Sequence, residues 1–401
     1  MILAERHIIK KSNPLYKELD KVCFLSKNLY NATLYAIRQH YFEHKKHLNY
    51  YKVDNLFKST NNPDYRALPI KVSQHTIKMV DKNFKSFFGL LKKKSQTPSI
   101  PRYLDKISKY LTTYTNQAIS KRELKNGYIK LSGCNNKIKT KVTNVNQVRL
   151  VPKFNYIVVE VLYEKNELLK KEDNKRYCAI DLGVNNLATV SSNVIPSFIM
   201  NGKPLKSINQ YYNKVKSKIS SELEKVNKCK ISDKLLNLSL KRNNKINDYL
   251  HNSSRYIVNQ LALNNINTLV IGYNEGWKQD INIGKVNNQK FVNIPFLKFV
   301  NQLKYKCQLV GIEVVMVNES YTSKCSFLDN ETIEKQIRYK GRRIKRGLFK
   351  SGDGQLINAD VNGSLNILRK AFPNAFADGI EVCSTPKVWF PSLKSDGGVI
   401  E

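Results

Sequence analysis

Three carboxylates beyond residue 175 lie where buried strands or helices are predicted to end or begin. Asp181 and Glu275 follow short apolar runs, and Asp360 precedes a predicted helix. A single acid at a strand end usually only meets solvent or caps a helix. Acids from different elements can instead hold Mg²⁺, which prefers hard oxygen ligands. Two such ions about 4 Å apart activate a water and neutralise the leaving oxygen in phosphodiester hydrolysis. The pattern indicates a metal-dependent nuclease.

Other catalytic chemistry has little support in the sequence. Five of the six histidines lie within the first 75 residues, and the sixth, His251, falls in a predicted helix, where we expect an ordinary helix-face residue. The sequence contains no glycine-rich phosphate loop, G-x-S-x-G or H-E-x-x-H motif. Gly183, two residues after Asp181, is expected to let backbone and substrate approach closely. The carboxylates remain the main candidates for chemistry.

The cysteines do not suggest a metal centre or a disulfide framework. There are seven, an odd number, and no two lie close enough in sequence to form a metal-binding pair. We expect reduced, buried thiols, the usual state of free cysteine inside a cell.

Charge is the most unusual global property. The chain has 68 Lys and Arg against 32 Asp and Glu, a formal net charge of +36. Such an excess predicts a polyanionic partner, and duplex nucleic acid has one charge per about 1.7 Å. No basic amphipathic anchor or membrane-spanning run stands out, and Met1–Arg6 is predicted to be a strand rather than a leader. We expect a soluble, cytosolic protein that binds nucleic acid. Composition leaves DNA and RNA equally open.

The first 170 residues alternate between two kinds of pattern. A strand-like start through Asn13 gives way to helical periodicity up to residue 98, and period-two strands such as Gln147–Val151 and Tyr156–Tyr163 follow. This order predicts a β unit interrupted by a helical insertion. One predicted helix has a basic face that we expect to contact phosphates, and its lysines are Lys71, Lys78, Lys82 and Lys85.

The second half begins with three short strand candidates. A long helical region, Leu205–Asn264, leads to the apolar strand Thr268–Gly272, and another strand candidate is Ile312–Val317. A helix from Asn362 through Ala371 closes the pattern. This order of elements predicts an RNase H-like fold, and the segment after Pro373 is expected to be loosely held.

At the three acids the chain resembles the TnpB proteins of bacterial insertion sequences, relatives of the type V CRISPR effector nucleases. The matching segments are IDLGVNNLA (180–188), IGYNEGWK (271–278) and NADVNGSLNI (358–367), which are similar to the three RuvC motifs in order. Supporting matches are NQKF (288–291), IPF (294–296) and ESYTSK (319–324). The resemblance is good over residues 175–372 and rests on layout in the N-terminal half.

The resemblance implies an RNA-guided DNA endonuclease, with an α/β multidomain fold. Asp181, Glu275 and Asp360 would hold Mg²⁺, for which Mn²⁺ can substitute, in a RuvC-type nuclease domain. A transposon-end guide RNA would pair with double-stranded target DNA beside a short transposon-adjacent motif. A β-barrel-like wedge domain would be interrupted by a helical recognition domain. The implied boundaries are 1–13 and 99–170 (wedge), 14–98 (recognition), 171–321 and 356–372 (nuclease), 322–355 (insertion) and 373–401 (tail).

The chain departs from the family in the insertion. Family members have a zinc ribbon of two Cys-x-x-Cys pairs, but here only Cys325 is in register, with Leu328, Lys350 and Asp353 at the other positions. One thiolate cannot build a tetrahedral zinc site, so we predict no zinc. We expect a hairpin or loop packed through Phe327, Leu328, Ile344 and Phe349. Its basic side chains are expected to contact the strand that enters the active site, and they include Arg338, Arg342, Arg343, Lys345 and Arg346.

Three other functions remain open. The chain could be an RNA-guided repressor or transposition regulator that binds without cutting, although all three acids are present. A strand-joining transposase is less favoured, because no His-hydrophobe-His motif with a nearby tyrosine occurs. A structure-selective resolvase would leave the first 170 residues unexplained.

Overall fold

The computed structural model describes residues 1–93, 98–227, 231–274, 293–377 and 386–391. The chain divides into two compact units that meet at Lys165 and Asn166. This break lies a few residues before the predicted boundary at residue 170. The assignment of wedge, recognition and nuclease domains stays a prediction.

The first unit contains an antiparallel sheet formed by the start and the end of the unit. Its strands are β1 (Ile2–Lys10), β2 (Thr112–Thr115), β5 (Val145–Pro152) and β6 (Tyr156–Glu164), in the order β1-β6-β5-β2. A short hairpin of β3 (Tyr128–Lys130) and β4 (Lys137–Lys139) lies outside this sheet. The strands predicted around residues 147–151 and 156–163 are therefore present and pair with each other.

Helices occupy most of the segment between β1 and β2. They are α1 (Leu15–His44), α2 (Tyr50–Ser59), α3 (Pro63–Arg66) and α4 (Ile70–Lys93), and a short α5 (Lys121–Lys125) follows β2. The apolar face of α1 includes Leu19, Leu29, Leu34 and Ile37, which are fully buried. Buried side chains recur every three or four residues along this helix from Leu15 to Ile37, and the apolar ones pack with the sheet residues into one core.

The second unit is built on a mixed sheet of six described strands. They are β7 (Tyr177–Leu182), β8 (Asn186–Ser192), β9 (Phe198–Asn201), β10 (Thr268–Gly272), β11 (Glu313–Val317) and β15 (Lys387–Trp389), in the order β11-β10-β7-β8-β9-β15. β7, β10 and β11 are parallel, whereas β8 is antiparallel to both β7 and β9. The five strands predicted in this half all form, each within two residues of its predicted bounds.

Helices cover both faces of this sheet. The long predicted helical region is split into α6 (Lys203–Asn227) and α7 (Asp233–Leu263), and α8 (Phe296–Leu309) and α9 (Ala359–Ala371) follow. Cys178 and Ile180 of β7 belong to the core that contains α7 and α8, whereas Tyr177 and Ala179 pack with α9 residues. The alternation along β7 therefore separates the two faces, as the period of a strand requires.

The C-terminal segment corrects one expectation. We expected everything after Pro373 to be loosely held, but β15 pairs in parallel with β9. Trp389 stacks on Tyr256 of α7 with ring centroids 4.1 Å apart, and Tyr256 makes an edge contact with Phe198 of β9. These contacts tie residues 387–389 to the sheet. The remainder of this segment beyond residue 377, apart from 386–391, lies outside the described residues.

The insertion forms a small three-stranded antiparallel sheet rather than a simple hairpin. Its strands are β12 (Arg342–Lys345), β13 (Leu348–Lys350) and β14 (Leu356–Asn358). Phe327 and Phe349 are buried as predicted, and Leu328 packs beside them. Ile344 is half exposed, so its predicted role in this core is wrong. All four residues of β12, an edge strand, are exposed in the described part of the chain.

No helix among the described residues is long and apolar enough to cross a membrane. The five described cysteines are buried and free, as predicted.

Candidate active site

Asp181 lies near the end of β7, on the face of the sheet that meets α9. It shares this face with Tyr177 and Ala179 because side chains alternate along a strand. Its carboxylate reaches α9 so closely that a Cβ on Gly363 would lie 2.7 Å from Asp181 Oδ2. Gly363 is therefore required for this contact. By contrast, the space at Gly183 is filled by the chain itself, since a Cβ there would meet the Asn186 carbonyl oxygen.

Asp360 lies in the first turn of α9. The side chain of Asn358 caps this helix by accepting hydrogen bonds from the backbone N–H of Asp360 (3.0 Å) and of Val361 (3.2 Å). The helix therefore begins earlier than the predicted Asn362. Carboxylates near a helix N-terminus are favoured by the helix dipole. Asp360 and Gly363 are one turn apart, so Asp360 and the Asp181 carboxylate lie at the same end of α9.

Two donors contact Asp360 from different elements. Asn186 at the start of β8 donates through Nδ2 to Asp360 Oδ2 at 2.6 Å. Arg343 of β12 forms an ion pair with Asp360 Oδ1 at 3.0 Å. Half of the Arg343 side chain remains exposed. The structure thus brings one residue of the predicted basic cluster directly to a predicted catalytic acid.

Glu319 is a third acid near this pair, and the sequence reasoning did not assign it a role. It lies two residues beyond β11, and the parallel strands β7, β10 and β11 all end at the same edge of the sheet. A Cβ on Gly272, the last residue of β10, would lie 3.4 Å from Glu319 Cβ. Glu319 is held by Asn274, which accepts from the Glu319 N–H at 3.1 Å and donates to Oε1 at 3.4 Å. The sequence did contain one signal for this residue, which is an acid just past the third of these parallel strands.

The electrostatics of this site disfavour charged carboxylates. Burial, followed by the negative charges of Asp360 and Glu319, raises the pKa of Asp181 well above its usual range, although Arg343 acts in the opposite direction. Burial also raises the pKa of Glu319. Clustered acids with raised pKa values are typical of sites that bind a cation or transfer a proton. Structural ion-pair networks can also shift pKa values, but among the described residues Arg343 is the one cation that acts on these acids.

The donor chemistry fits magnesium. All three side chains offer carboxylate oxygens, the ligands that Mg²⁺ prefers, and Mg²⁺ keeps several waters, so it needs few protein ligands. Within the ranges that the structure describes, no three His, Cys, Asp or Glu side chains are arranged closely enough to surround an ion. Glu275, the third predicted acid, lies outside the described residues, and its role stays a prediction.

Two asparagines of α9 attach the insertion to the site. Asn362 donates to the Cys325 carbonyl oxygen at 2.9 Å and accepts from the Phe327 N–H at 2.9 Å. Asn366 donates to the carbonyl oxygens of Thr322 and Cys325. Both asparagines are fully buried. The segment NADVNGSLNI therefore combines an acid, a glycine that admits Asp181, and two anchors for the chain beside it.

Hydrogen bonds organise the insertion at the place where family members have zinc. The buried Glu331 carboxylate accepts from the backbone N–H of Ser326 at 2.7 Å and of Lys340 at 2.8 Å. Arg369 of α9 donates to the Glu331 carbonyl oxygen at 2.6 Å. The buried Cys325 thiol contacts the carbonyl oxygens of Thr332 and Glu334. These contacts join the two ends of the loop between Cys325 and β12.

The other predicted nucleic-acid residues are exposed but lie in two separate units. Lys71, Lys78, Lys82 and Lys85 lie on the solvent face of α4, where Lys85 pairs with the buried Asp81 at 2.7 Å. Arg338, Arg342, Lys345 and Arg346 are exposed around β12. Their contact with nucleic acid stays a prediction.

Comparisons with known proteins agree with the motifs. A family model described as a probable transposase, OrfB_IS605, matches residues 157–278, and one for the TNB domain of Cas12f1-like proteins matches residues 296–367. The chain is 24% identical over 409 residues to the TnpB-like protein ORF457 of Acidianus two-tailed virus, covering 88% of this chain and 83% of that protein.

Solved structures give weaker similarities. A Cas12f1–sgRNA–target DNA complex is 15% identical with a TM-score of 0.37, covering 91% of this chain and 98% of that chain. The mini-RNA-guided endonuclease CRISPR-Cas_phi3 is 12% identical with a TM-score of 0.48, covering 92% of each chain. Similarities at this level support no inference about function.

The two family models match successive segments from β6 of the first unit to α9 of the second, and the viral relative extends the similarity over most of the chain. Together these similarities support a TnpB-family protein.

Proposed function

We propose that this protein is an RNA-guided, metal-dependent DNA endonuclease with a RuvC-type active site. The observation that carries the proposal is the meeting of Asp181 from β7 with Asp360 on α9, through the space left by Gly363. The strand order β9-β8-β7-β10-β11 supports an RNase H-like arrangement, in which an acid on the central strand faces a C-terminal helix. Family membership and the charge of +36 support nucleic acid as the substrate.

Asp181 and Asp360 would hold Mg²⁺, together with Glu319 or Glu275. When bound, Mg²⁺ would lower the pKa of a water and neutralise charge on the phosphate oxygens. Asn186 would orient Asp360 through its 2.6 Å hydrogen bond. Arg343 would neutralise Asp360 before the cation binds, and its exposed guanidinium would contact the phosphate backbone afterwards.

The guide would be an RNA from the transposon end, and the target a double-stranded DNA beside a short flanking motif. The lysines of α4 and the basic residues around β12 would contact phosphates, because their side chains are exposed to solvent in the described part of the chain. The first unit would supply the wedge and recognition domains. Base pairing would read most of the target sequence.

The test begins with the RNA that copurifies with the protein. The ribonucleoprotein is incubated with Mg²⁺ and a plasmid library with randomised flanks around a guide-matched target. We expect cleavage next to one enriched flank, and a loss of about a thousandfold or more in Asp181→Ala, because metal-ion catalysis provides several kcal/mol. Asp353→Ala removes an exposed aspartate from the insertion and serves as the matched control.

Three outcomes would contradict the proposal in different ways. Cleavage without RNA, or cleavage that survives Asp181→Ala, would exclude a guided RuvC-type mechanism. Guided DNA binding without cleavage by the intact protein would identify an RNA-guided repressor instead. Comparing Glu319→Gln with Glu275→Gln in the same assay assigns the third ligand, since only its loss should lower cleavage as much as loss of Asp181.

A further inference from the structure

The solvent face of α1 has a cluster of exposed rings around one arginine. Tyr35, Arg38 and Phe42 are spaced by three and four residues, so they lie on one side of the helix. The Arg38 guanidinium lies 5.7 Å from the Phe42 ring centroid and 5.1 Å from that of Tyr103. Tyr35, Phe42 and Tyr103 are 58%, 47% and 46% exposed. We call these four residues the aromatic stripe.

Exposed rings are common singly on protein surfaces, but a group this close is not explained by the core. The buried residues of α1 lie on the opposite side, where Leu19, Leu29 and Leu34 are inaccessible to solvent. Arg38 pairs with no carboxylate in the described part of the chain, so its charge is available to a ligand. A cation held between two rings is a feature that stacks well on a planar base.

The aromatic stripe is fixed in position by the segment that contains Tyr103. Asn31 of α1 exchanges two hydrogen bonds with the backbone of Leu104, both at 2.9 Å. Lys27 donates to the Lys106 carbonyl oxygen at 2.8 Å, and the Tyr110 N–H donates to the Cys23 carbonyl oxygen at 3.0 Å. This segment is therefore held along α1 at several points. A surface ordered in advance loses less entropy when it binds.

We infer that the aromatic stripe is a stacking surface for the unpaired bases of a single-stranded polynucleotide. If the proposed function holds, that polynucleotide is the guide RNA. A second copy of this chain is the less favoured occupant, because two chains with a charge of +36 each repel one another. Duplex nucleic acid is also less favoured, since its bases are stacked on each other and cannot lie on these rings.

The test measures RNA binding in EDTA, so that cleavage does not contribute. A fluorescent oligouridine and an RNA duplex of the same length are titrated with the full chain at fixed salt. We expect the double variant Tyr35→Ala/Phe42→Ala to bind the oligouridine at least about tenfold more weakly and the duplex almost unchanged, because base–aromatic stacking is sequence-tolerant but needs unpaired bases. Tyr35→Phe keeps the ring and should bind like the wild type.

Tyr51→Ala is the matched control, because Tyr51 is 73% exposed on α2 of the same unit and lies outside the stripe. Photocrosslinking with 5-iodouridine gives a second readout, and the crosslinked peptides should contain Tyr35, Phe42 or Tyr103. Unchanged oligouridine affinity in the double variant would overturn the inference. So would a loss of self-association in that variant without a change in RNA affinity, since it would identify a second copy as the occupant.

Failure of the stacking inference can be distinguished from failure of the proposed function. A protein that never cuts DNA can still bind oligouridine through the stripe. Conversely, if the double variant cleaves DNA under guidance and binds RNA with wild-type affinity, the nuclease proposal stands and the stacking role of the aromatic stripe is rejected.

Discussion

The second unit has two groups of carboxylates whose surroundings are opposite. At the candidate active site, burial and neighbouring acids raise the pKa of Asp181, and burial raises that of Glu319. In the insertion, Glu331 accepts two backbone N–H groups. Burial alone would raise the pKa of Asp329, but hydrogen bonds from Ser326 and the backbone of Gly352 hold it below its usual range.

This difference distinguishes the proposed cation site from carboxylates that serve the fold. The insertion supplies its carboxylates with donors from the protein, so these groups are stabilised without any ligand. The active site leaves its carboxylates short of positive charge, with Arg343 as the one cation facing them among the described residues. A bound cation would relieve that shortage. The comparison therefore predicts which acids respond to metal and which respond only to loss of folding.

The largest expected effect comes from filling the space beside Asp181. In Gly363→Ala the new Cβ would lie 2.7 Å from Asp181 Oδ2, so the carboxylate must move. We expect guided cleavage to fall about a hundredfold, the cost of displacing a catalytic group by roughly 1 Å. Thermal stability should change little, because the helix propensity of alanine, about 1 kcal/mol better than that of glycine, offsets the cost of moving the Asp181 carboxylate.

Gly89→Ala is the control for this variant, since Gly89 lies in α4 with no atom within 4 Å of a new Cβ. It should cleave normally. Full activity of Gly363→Ala would show that the contact between Asp181 and α9 is not needed.

Removing the Glu331 carboxylate should loosen the insertion. Glu331→Ala leaves the buried N–H of Ser326 and the partly buried N–H of Lys340 without their acceptor, and each hydrogen bond to a charged group contributes about 1.5–3 kcal/mol. Hydrogen–deuterium exchange at these amides should become about a hundredfold faster. Glu334→Ala, which removes an exposed acid nearby, should have no such effect.

The same experiment addresses zinc. We expect metal analysis of the purified protein to find no bound zinc, and EDTA to leave the exchange rates of the insertion unchanged. One tightly bound equivalent of zinc would refute the idea that hydrogen bonds organise this segment alone.

A smaller effect is expected on stability as pH changes. Because the folded-state pKa of Asp181 is raised, its charged form is disfavoured in the folded protein. Stability is therefore lost as pH rises from the usual value of 3.8 through the folded-state pKa. Asp181→Asn should remove this loss and raise the metal-free stability at neutral pH, because the asparagine side chain has no charge to disfavour.

The measurement is the difference in thermal midpoint between Asp181→Asn and the wild type in EDTA, followed as the pH is raised from about 4 to about 8. The difference should open as pH rises and shrink when Mg²⁺ is added to the wild type. Asp353→Asn should show no such trend. A constant difference across the range would mean that Asp181 is not destabilised by its charge.

The smallest expected effect concerns salt. Each basic residue around β12 that contacts DNA should lower the slope of log affinity against log salt by about 0.9 when it is replaced by glutamine. We expect Arg338→Gln, Arg342→Gln, Lys345→Gln and Arg346→Gln together to weaken binding and to flatten its salt dependence. An unchanged slope would show that these four side chains do not contact DNA phosphates.

The sequence predicted the parts of the fold whose patterns are local. The strands of the second sheet are continuous apolar runs, and α9 has a clear helical period, so Asp181 and Asp360 could be placed at element ends. Glu319 also follows a predicted strand, but its proximity to Asp181 could not be predicted, because it depends on the parallel register of β10 and β11 and on the missing side chain of Gly272. Sequence spacing contains neither.

Two predictions were wrong for a similar reason: that Ile344 packs in a core, and that the whole segment after Pro373 is loosely held. Ile344 is apolar and was expected in a core, but β12 is an edge strand, and nothing covers that face in the described structure. β15 is only three residues long, too short for a detectable period, and it forms because β9 offers an unpaired edge. In both cases the neighbouring strand decides the environment of the residue.

Pairing of β15 with β9 has a practical consequence for handling the protein. β9 would otherwise present a row of free backbone N–H and C=O groups, the kind of edge that recruits strands from other molecules. A truncation before residue 386 would also expose the rings of Tyr256 and Phe198. Shortened versions intended for delivery or fusion should therefore keep residues 386–391, and a partner protein should be joined after them.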